Sequence, residues 1–567
     1  MTGTEVPAER ELRELYESEW RWRTTELGEL AHCSPTAVPG GPLPDVSADR
    51  EQQRRQRWES TLADLDRIDP AALGPAALSD YGVYRYQLTT MIDRRRFRMY
   101  ERPANGDTAF WNDLLAAPRR VLADTDDART YLEHVESMGA FVRANIENMR
   151  LGIARGFAPP AVTMVGRASA LREFVTGGPS AAASFANPVQ TLPPSVSAAA
   201  RAALHTEIET TVVDQVMPAL ETLDTFLRQE YFPRLPERID LASQPDGAEC
   251  YQAQLDEFTT SGLTGEQIHR IGLDEVTALS QEMAQVAAGA GYRSAGDMLA
   301  FMRTDPQFVE TTPGGLLRWA AWHAKRFDAV SERYFGRQPR RRFAIVEVDP
   351  EIAPFYTAGR GGDGEYLLNT YNLPARKLYS LAALTLHEAA PGHCFQVPFA
   401  LEMTHLPDFR RADYISAYGE GWALYTERLG TEMGMYESPY DAMGMLSYQM
   451  WRAVRLVVDP GVHLLGWTRE RARAFLRDHT ALDEHEVTTE VDRYISWPGQ
   501  ATSYYLGMMR ILELRAEAEQ ALGERFSLPA FHDLVLSLGS VPLSVLSDEV
   551  HRFVADGGHS PFATAAP

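Results

Sequence analysis

Residues 381–393 read Leu381-Ala382-Ala383-Leu384-Thr385-Leu386-His387-Glu388-Ala389-Ala390-Pro391-Gly392-His393. An apolar run leads into two imidazoles with a carboxylate beside the first. Neutral imidazole is a good zinc ligand, and an adjacent glutamate is what metal-assisted hydrolysis needs as its base. In the pattern H-E-x-x-H, histidines four apart share one helical face. Here they are six apart, a turn of about 240° on a regular helix, so a straight helix cannot aim both at one ion. Pro391 and Gly392 offer the solution, because proline kinks or ends a helix and glycine permits sharp re-aiming. The stretch predicts a metal site built across a broken helix.

A catalytic zinc site needs a third protein ligand and an open position. Ala417 to Glu427 predicts a second helix, on which Glu420 and Glu427 project from one face. One of them ligates the ion and the other orients a ligand from behind. Glu420 is favoured as the ligand, because Gly419 and Gly421 let a cofactor or backbone approach closely. The plainer alternative is a pair of solvated helix carboxylates.

Four motifs then follow in order: His387-Glu388-Ala389-Ala390-Pro391-Gly392-His393-Cys394-Phe395-Gln396, Glu420-Gly421-Trp422-Ala423-Leu424-Tyr425, Arg455 to His463 (RLVVDPGVH), and Arg493 to Ala501 (RYISWPGQA). The series resembles the bacterial domain-of-unknown-function family 885 from near residue 150 to Leu543. That family looks related to helical, deep-cleft zinc peptidases such as angiotensin-converting enzyme and carboxypeptidase Taq. The kinship implies a mainly α, two-lobed protein with a deep cleft and a hydrolytic reaction, without fixing the substrate. Those peptidases carry the shorter histidine spacing and this chain has proline at 391. His393 is the expected second ligand, with His463 as the fallback.

Composition bounds the rest. A chain of 567 residues exceeds one hydrophobic core, so two lobes are expected. The boundary is read as 1–240 for a helical N-terminal lobe and 241–567 for the catalytic lobe, because Pro233, Pro236, Pro245 and Gly247 interrupt the helices. With 44% hydrophobic and 23% charged residues the chain is ordinary for a soluble globular protein. A net charge of −23 argues against nucleic acid and anionic membrane as partners. Cys33, Cys250 and Cys394 have no C-x-x-C spacing, so no disulfide framework is expected, and Cys394 is read as a small buried hydrophobe. Met1 to Glu14 lacks a secretory pattern and no run is long enough to span a bilayer, which points to the cytoplasm.

Helical periodicity dominates. Ile208, Val212, Val216, Leu220, Leu223 and Leu227 mark one amphipathic face. Pro159 to Pro194 reads as a hinge or long loop with some helix around Arg167 to Phe174. Strands are expected at 343–348 and 365–370, giving a small sheet beside the metal motif. The second could be an exposed edge that pairs with an extended peptide, as in the related peptidases, or a hairpin that only supports the helix. Arg360 to Gly364 precedes a strand, not a helix, so a nucleotide loop is not expected.

The chemistry that follows has zinc, or another divalent metal, held by His387, His393 and Glu420. Glu388 takes a proton from the attacking water and returns it to the leaving amine. The oxyanion needs a further donor. His463 is the first candidate, with a helix-end role near Asp459-Pro460-Gly461 as its plainer reading, and Tyr494, Tyr504 and Tyr505 follow. Glu427, Arg455 and Tyr366 are expected to back the ligands or touch substrate. Arg452 and Arg455, three apart, could hold a substrate carboxylate, though pairing with nearby acids at the surface is the favoured account. The expected function is hydrolysis of short peptides. A specialised amidohydrolase and a non-catalytic binding protein are the alternatives. Substrate identity and oligomeric state are not legible.

Overall fold

A computed structural model describes residues 6–28, 41–106, 108–350 and 353–562. Helix makes up 71% of the chain and strand 3%, so the fold is mainly α, as expected. The chain forms two compact units. One comprises the described residues up to Cys250 together with Ile495–Trp497, and the other runs from Tyr251 to Tyr494 and from Pro498 onward. Cys33 lies outside the described residues; Cys250 and Cys394 are buried free thiols. No helix among the described residues is long and apolar enough to cross a membrane.

In the first unit, helix α1 (Thr125–Arg155) starts where the Asp124 carboxylate accepts the N–H groups of Asp126 and Asp127. Helix α2 (Ala198–Thr211) opens the 208–227 stripe, whose six apolar residues are all fully buried. Steps of four residues overshoot the helical repeat by about 40° each, which would wind the stripe off the core. Wider π-helical turns at Val212–Val216 and Leu227–Tyr231 absorb that drift, so the face stays inward. Pro159 to Pro194 is more helical than its composition suggests. Short helices span Ser169–Thr176 and Gly178–Ser184, flanked by 3₁₀ turns at Ala161–Met164 and Asn187–Thr191.

In the second unit, helix α3 (Pro313–Asp328) packs on a small sheet of β1 (Ala344–Glu347), β2 (Gly359–Gly361) and β3 (Glu365–Leu368). The order is β1-β3-β2, with β3 parallel to β1 and antiparallel to β2. This corrects the edge-strand expectation. β3 lies in the middle, paired on both sides, and the outer positions belong to β1 and β2. Beside the sheet runs α4 (Leu378–Glu388), buried from Leu381 to Glu388 on every face. A helix apolar all round belongs in a core, and α4 is enclosed by α3, β2, α6 (Ser416–Glu432) and α7 (Pro439–His463).

Helix α7 does not stop at Asp459-Pro460-Gly461, contrary to the sequence reading. It carries Pro460 inside and ends at His463. The fully buried Asp459 carboxylate instead accepts the Tyr251 hydroxyl at 2.6 Å and the Gly499 N–H at 3.0 Å. This staples the Pro498–Thr502 turn, where Gly499 has a φ of 83° that favours glycine. Burial pushes the Asp459 carboxyl up to about 7, well outweighing its two donors. A carboxyl raised in the folded state contributes stability below its unfolded value, and that contribution is lost as pH rises through about 7. Asp459→Asn keeps an acceptor for both donors. Its melting temperature relative to the parent is expected to climb between pH 4 and pH 8; a pH-independent offset would refute the assignment.

Candidate metal centre

Helix α4 ends at Glu388 and α5 (His393–Glu402) begins at His393, so the predicted break falls between the two histidines. Ala390–Pro391 is a cis peptide. A methyl group on Gly392 would overlap the carbonyl oxygen of His387, so only glycine fits where the chain doubles back. Carbonyls freed by the break are satisfied from α6: Trp422 Nε1 donates to Pro391 O at 2.8 Å and the Thr426 hydroxyl to Leu386 O at 3.0 Å.

The break turns both imidazoles onto one carboxylate. Glu420 Oε2 lies 3.5 Å from His387 Nε2 and 3.3 Å from His393 Nε2. Donor atoms of His387, Glu388 and His393 all lie within 4.8 Å of one another. Ligands bonded to zinc at 2.0–2.1 Å on tetrahedral corners stand roughly 3.3 Å apart, so the spacing of the two nitrogens from the carboxylate oxygen fits one such ion. The donor chemistry fits as well, being two imidazoles and a carboxylate.

Behind these candidate ligands stands a second layer of polar groups. His387 Nδ1 is 2.8 Å from Glu427 Oε1, and Glu427 is completely buried. With Nδ1 paired to the Glu427 carboxylate, the ring is oriented so that Nε2 faces Glu420. Gln449 Nε2 lies 3.4 Å from the other Glu427 oxygen and Arg452 Nη2 lies 3.8 Å from Oε1. Tyr414 donates its hydroxyl to Glu420 Oε1 at 3.0 Å, and Gly361 N–H donates to Glu388 Oε2 at 2.6 Å.

Three carboxylates among two imidazoles make a site that attracts positive charge. Burial alone pushes the His387 imidazolium down, but hydrogen bonds to Glu420 and Glu427 raise it to about 10. Glu420 is pushed up by burial, yet the neighbouring His393 and His387 hold it well below the usual carboxylate range. Burial and the Glu420 charge push the Tyr414 hydroxyl well above its ordinary value.

The glycines beside Glu420 do admit close neighbours, and these are protein. A methyl on Gly419 would strike the Tyr414 ring, and one on Gly421 would strike the Gly507 backbone on α8 (Ser503–Leu522). Tyr414 carried no sequence signal. It lies outside α6, and only the space beside Gly419 brings it to the carboxylate. Gly361 belongs to the glycine run that the sequence reading considered only as a nucleotide loop.

Other candidates sit elsewhere. His463 Nε2 is 2.9 Å from the Tyr494 carbonyl oxygen and its ring lies 5.4 Å from that of Tyr251. It follows Arg452 by eleven residues, about 16 Å along α7. The Tyr494 hydroxyl accepts from Trp451 Nε1 and Arg455 Nε, and Tyr505 donates to Glu275 at 2.8 Å. Tyr504 is the tyrosine the fold brings to the site, its ring parallel to that of His387 with centres 6.4 Å apart. Tyr366 is fully buried on β3 and, with Glu388, lies against Gly359, so it packs beside that carboxylate and does not reach solvent. Arg455 is buried and paired with Glu490 at 2.9 Å, not with acids at the surface.

The family described as "Bacterial protein of unknown function (DUF885)" matches residues 24–550. The chain belongs to that family. Among solved structures, a Colwellia psychrerythraea protein described as a "putative lipoprotein" is 26% identical with a TM-score of 0.85, across 97% of this chain and 100% of the other. A Shewanella oneidensis protein described as a "putative lipoprotein of unknown function" is 18% identical with a TM-score of 0.67, across 95% and 98% of the two chains, a likeness of fold alone. No curated protein matches the chain. Of the four DUF885 motifs read in the sequence, the first two build the candidate centre. The third and fourth meet at the Asp459–Gly499 staple.

Proposed function

We propose that this DUF885 protein is a metal-dependent hydrolase, with zinc the preferred ion, that cleaves peptide or amide bonds of small substrates. One observation carries the reading: His387 Nε2 and His393 Nε2 face the same Glu420 oxygen at 3.5 and 3.3 Å, with Glu388 beside them. The resemblance of the motifs to helical zinc peptidases supports it.

A bound divalent ion supplies Lewis acidity and a water acidified to a pKa of about 7. The chain's own groups do the remaining work. Gly361 N–H fixes one oxygen of Glu388, leaving the other to take the water proton and later hand it to the leaving amine. Tyr504 is the donor for the developing oxyanion. Its hydroxyl oxygen accepts from Arg493 Nη2 at 3.3 Å, which polarises the O–H toward a further acceptor. Tyr414 is already committed to Glu420. An extended substrate would pair with β2, the outer strand that touches α4, since β3 has no open edge.

Elemental analysis of the purified protein should find one divalent ion per chain, lost in His387→Ala, His393→Ala and Glu420→Ala. A panel of short peptides and N-acyl amino acids then reports turnover. Metal content unaffected by all three substitutions would remove the proposed ligands. Glu427→Gln is expected to weaken metal binding about 10–100-fold in a chelator-competition titration, because the group that orients His387 loses its charge. Unchanged affinity would reduce Glu427 to a packing residue.

A further inference from the structure

Arg452 and Arg455 lie one turn apart on α7, with only 5% and 2% of their surfaces exposed. Arg455 uses Nη2 on Glu490 at 2.9 Å and Nε on the Tyr494 hydroxyl at 3.1 Å, but its buried Nη1 has no partner. Arg452 approaches Glu427 only to 3.8 Å, and its Nε and Nη1 are buried without partners. Both guanidinium groups lie over the Trp451 indole, 4.3 and 4.6 Å from its centre. Tyr448 covers Arg452 at 4.7 Å and Tyr504 covers Arg455 at 4.6 Å.

Aromatic faces stabilise these cations without accepting their remaining N–H groups in ordinary hydrogen bonds. Buried donors in native proteins almost always have acceptors. The acids at hand do not supply them, because Glu427 is committed to His387 Nδ1 and Glu490 to Arg455 Nη2. The cage is therefore short of one anion, and a planar carboxylate is the group that matches guanidinium N–H geometry. Its position is informative. Tyr504, which covers Arg455, is the residue stacked on His387. With Tyr504 6.4 Å from the His387 ring and 4.6 Å from the Arg455 guanidinium, the cage lies within about three residues of extended chain, at about 3.3–3.6 Å each, of a carbonyl at the candidate centre.

We propose that Arg452 and Arg455 form a subsite for the free terminal carboxylate of the substrate, so that the enzyme removes C-terminal residues or cleaves N-acyl amino acids. The half-buried Trp451 and Tyr448 cover the cage and are the members of it that reach solvent. Cleavage rests on the hydrolase reading above; recognition of the carboxylate does not.

The test uses the full chain carrying Glu388→Gln, loaded with zinc, titrated calorimetrically with N-acetyl-Ala-Ala as the free acid and as its C-terminal carboxamide. The acid is expected to bind at least about tenfold tighter, the size of one charge-assisted contact. Adding Arg455→Gln should erase that difference. Should this variant fold poorly, the acid should still raise the melting temperature of the Arg455-containing protein more than the carboxamide does. Equal binding of acid and carboxamide overturns the proposal, as does full preference retained by a folded Arg455→Gln protein. An N-acetyl-Ala-Asp carboxamide that binds as tightly as the acid also overturns it, in favour of side-chain carboxylates. If acid preference is present but the Glu388-containing protein cleaves neither compound, the subsite stands and the hydrolase reading falls. If it cleaves both with equal kcat/KM, the hydrolase stands and the subsite falls.

Discussion

Glu388→Gln is expected to lower turnover of any cleaved amide by about 10²–10⁴-fold, the usual worth of a positioned general base. The substitution is nearly isosteric. Its amide oxygen can still accept the Gly361 N–H that now reaches Oε2 at 2.6 Å, so the loop after α4 should keep its shape. What is lost is the ability to take a proton. Metal content should stay at the parental level, because His387, His393 and Glu420 are untouched and already converge. Steady-state kinetics with elemental analysis on one preparation checks both halves. Turnover within threefold of the parent would exclude Glu388 as the base, whereas loss of metal would make it a ligand.

The second large effect belongs to a residue with no functional group. Gly392→Ala places a methyl where the His387 carbonyl oxygen already sits, between the two histidines. Backbone cannot yield there cheaply, since α6 holds the break through Trp422 and Thr426. A cost of about 3–5 kcal/mol, the upper range for single substitutions, is expected. Whatever folds should bind metal poorly, because any relief moves one imidazole away from the other. Thermal melting and metal titration report the two losses. A variant with parental melting temperature and affinity would show that the turn has more room than the structure gives it.

Much of this was legible in the chain. Six-residue spacing with proline and glycine between the histidines demanded a break, and α4 ends at Glu388 as that argument requires. The seven-residue interval between Glu420 and Glu427 put one carboxylate at the imidazoles' Nε2 atoms and the other at Nδ1. The 208–227 stripe gave a helix face, though not the π turns that keep a four-residue repeat in register with the core.

What stayed hidden depended on contacts between distant segments. β3 reads as an outer strand until Gly359–Gly361, three residues with two glycines and no alternating pattern, pairs along it. Arg455 looks like a surface residue until Glu490, 35 residues on, neutralises it inside the protein. His463 ends one of the four motifs, but a helix that runs through Pro460 carries it away to Tyr494. Proline's missing donor warned of a stop, and α7 tolerates it.

The contact of Gly421 with Gly507 has a further consequence. Main chain meets main chain there, so the separation of α6 from α8 is fixed by atoms that every amino acid shares. Glu420 is one residue away, so its main chain is positioned by that crossing, while Tyr414 holds its carboxylate. The width of that crossing is therefore set by main chain, and a side chain larger than hydrogen at either glycine would have to push the two helices apart.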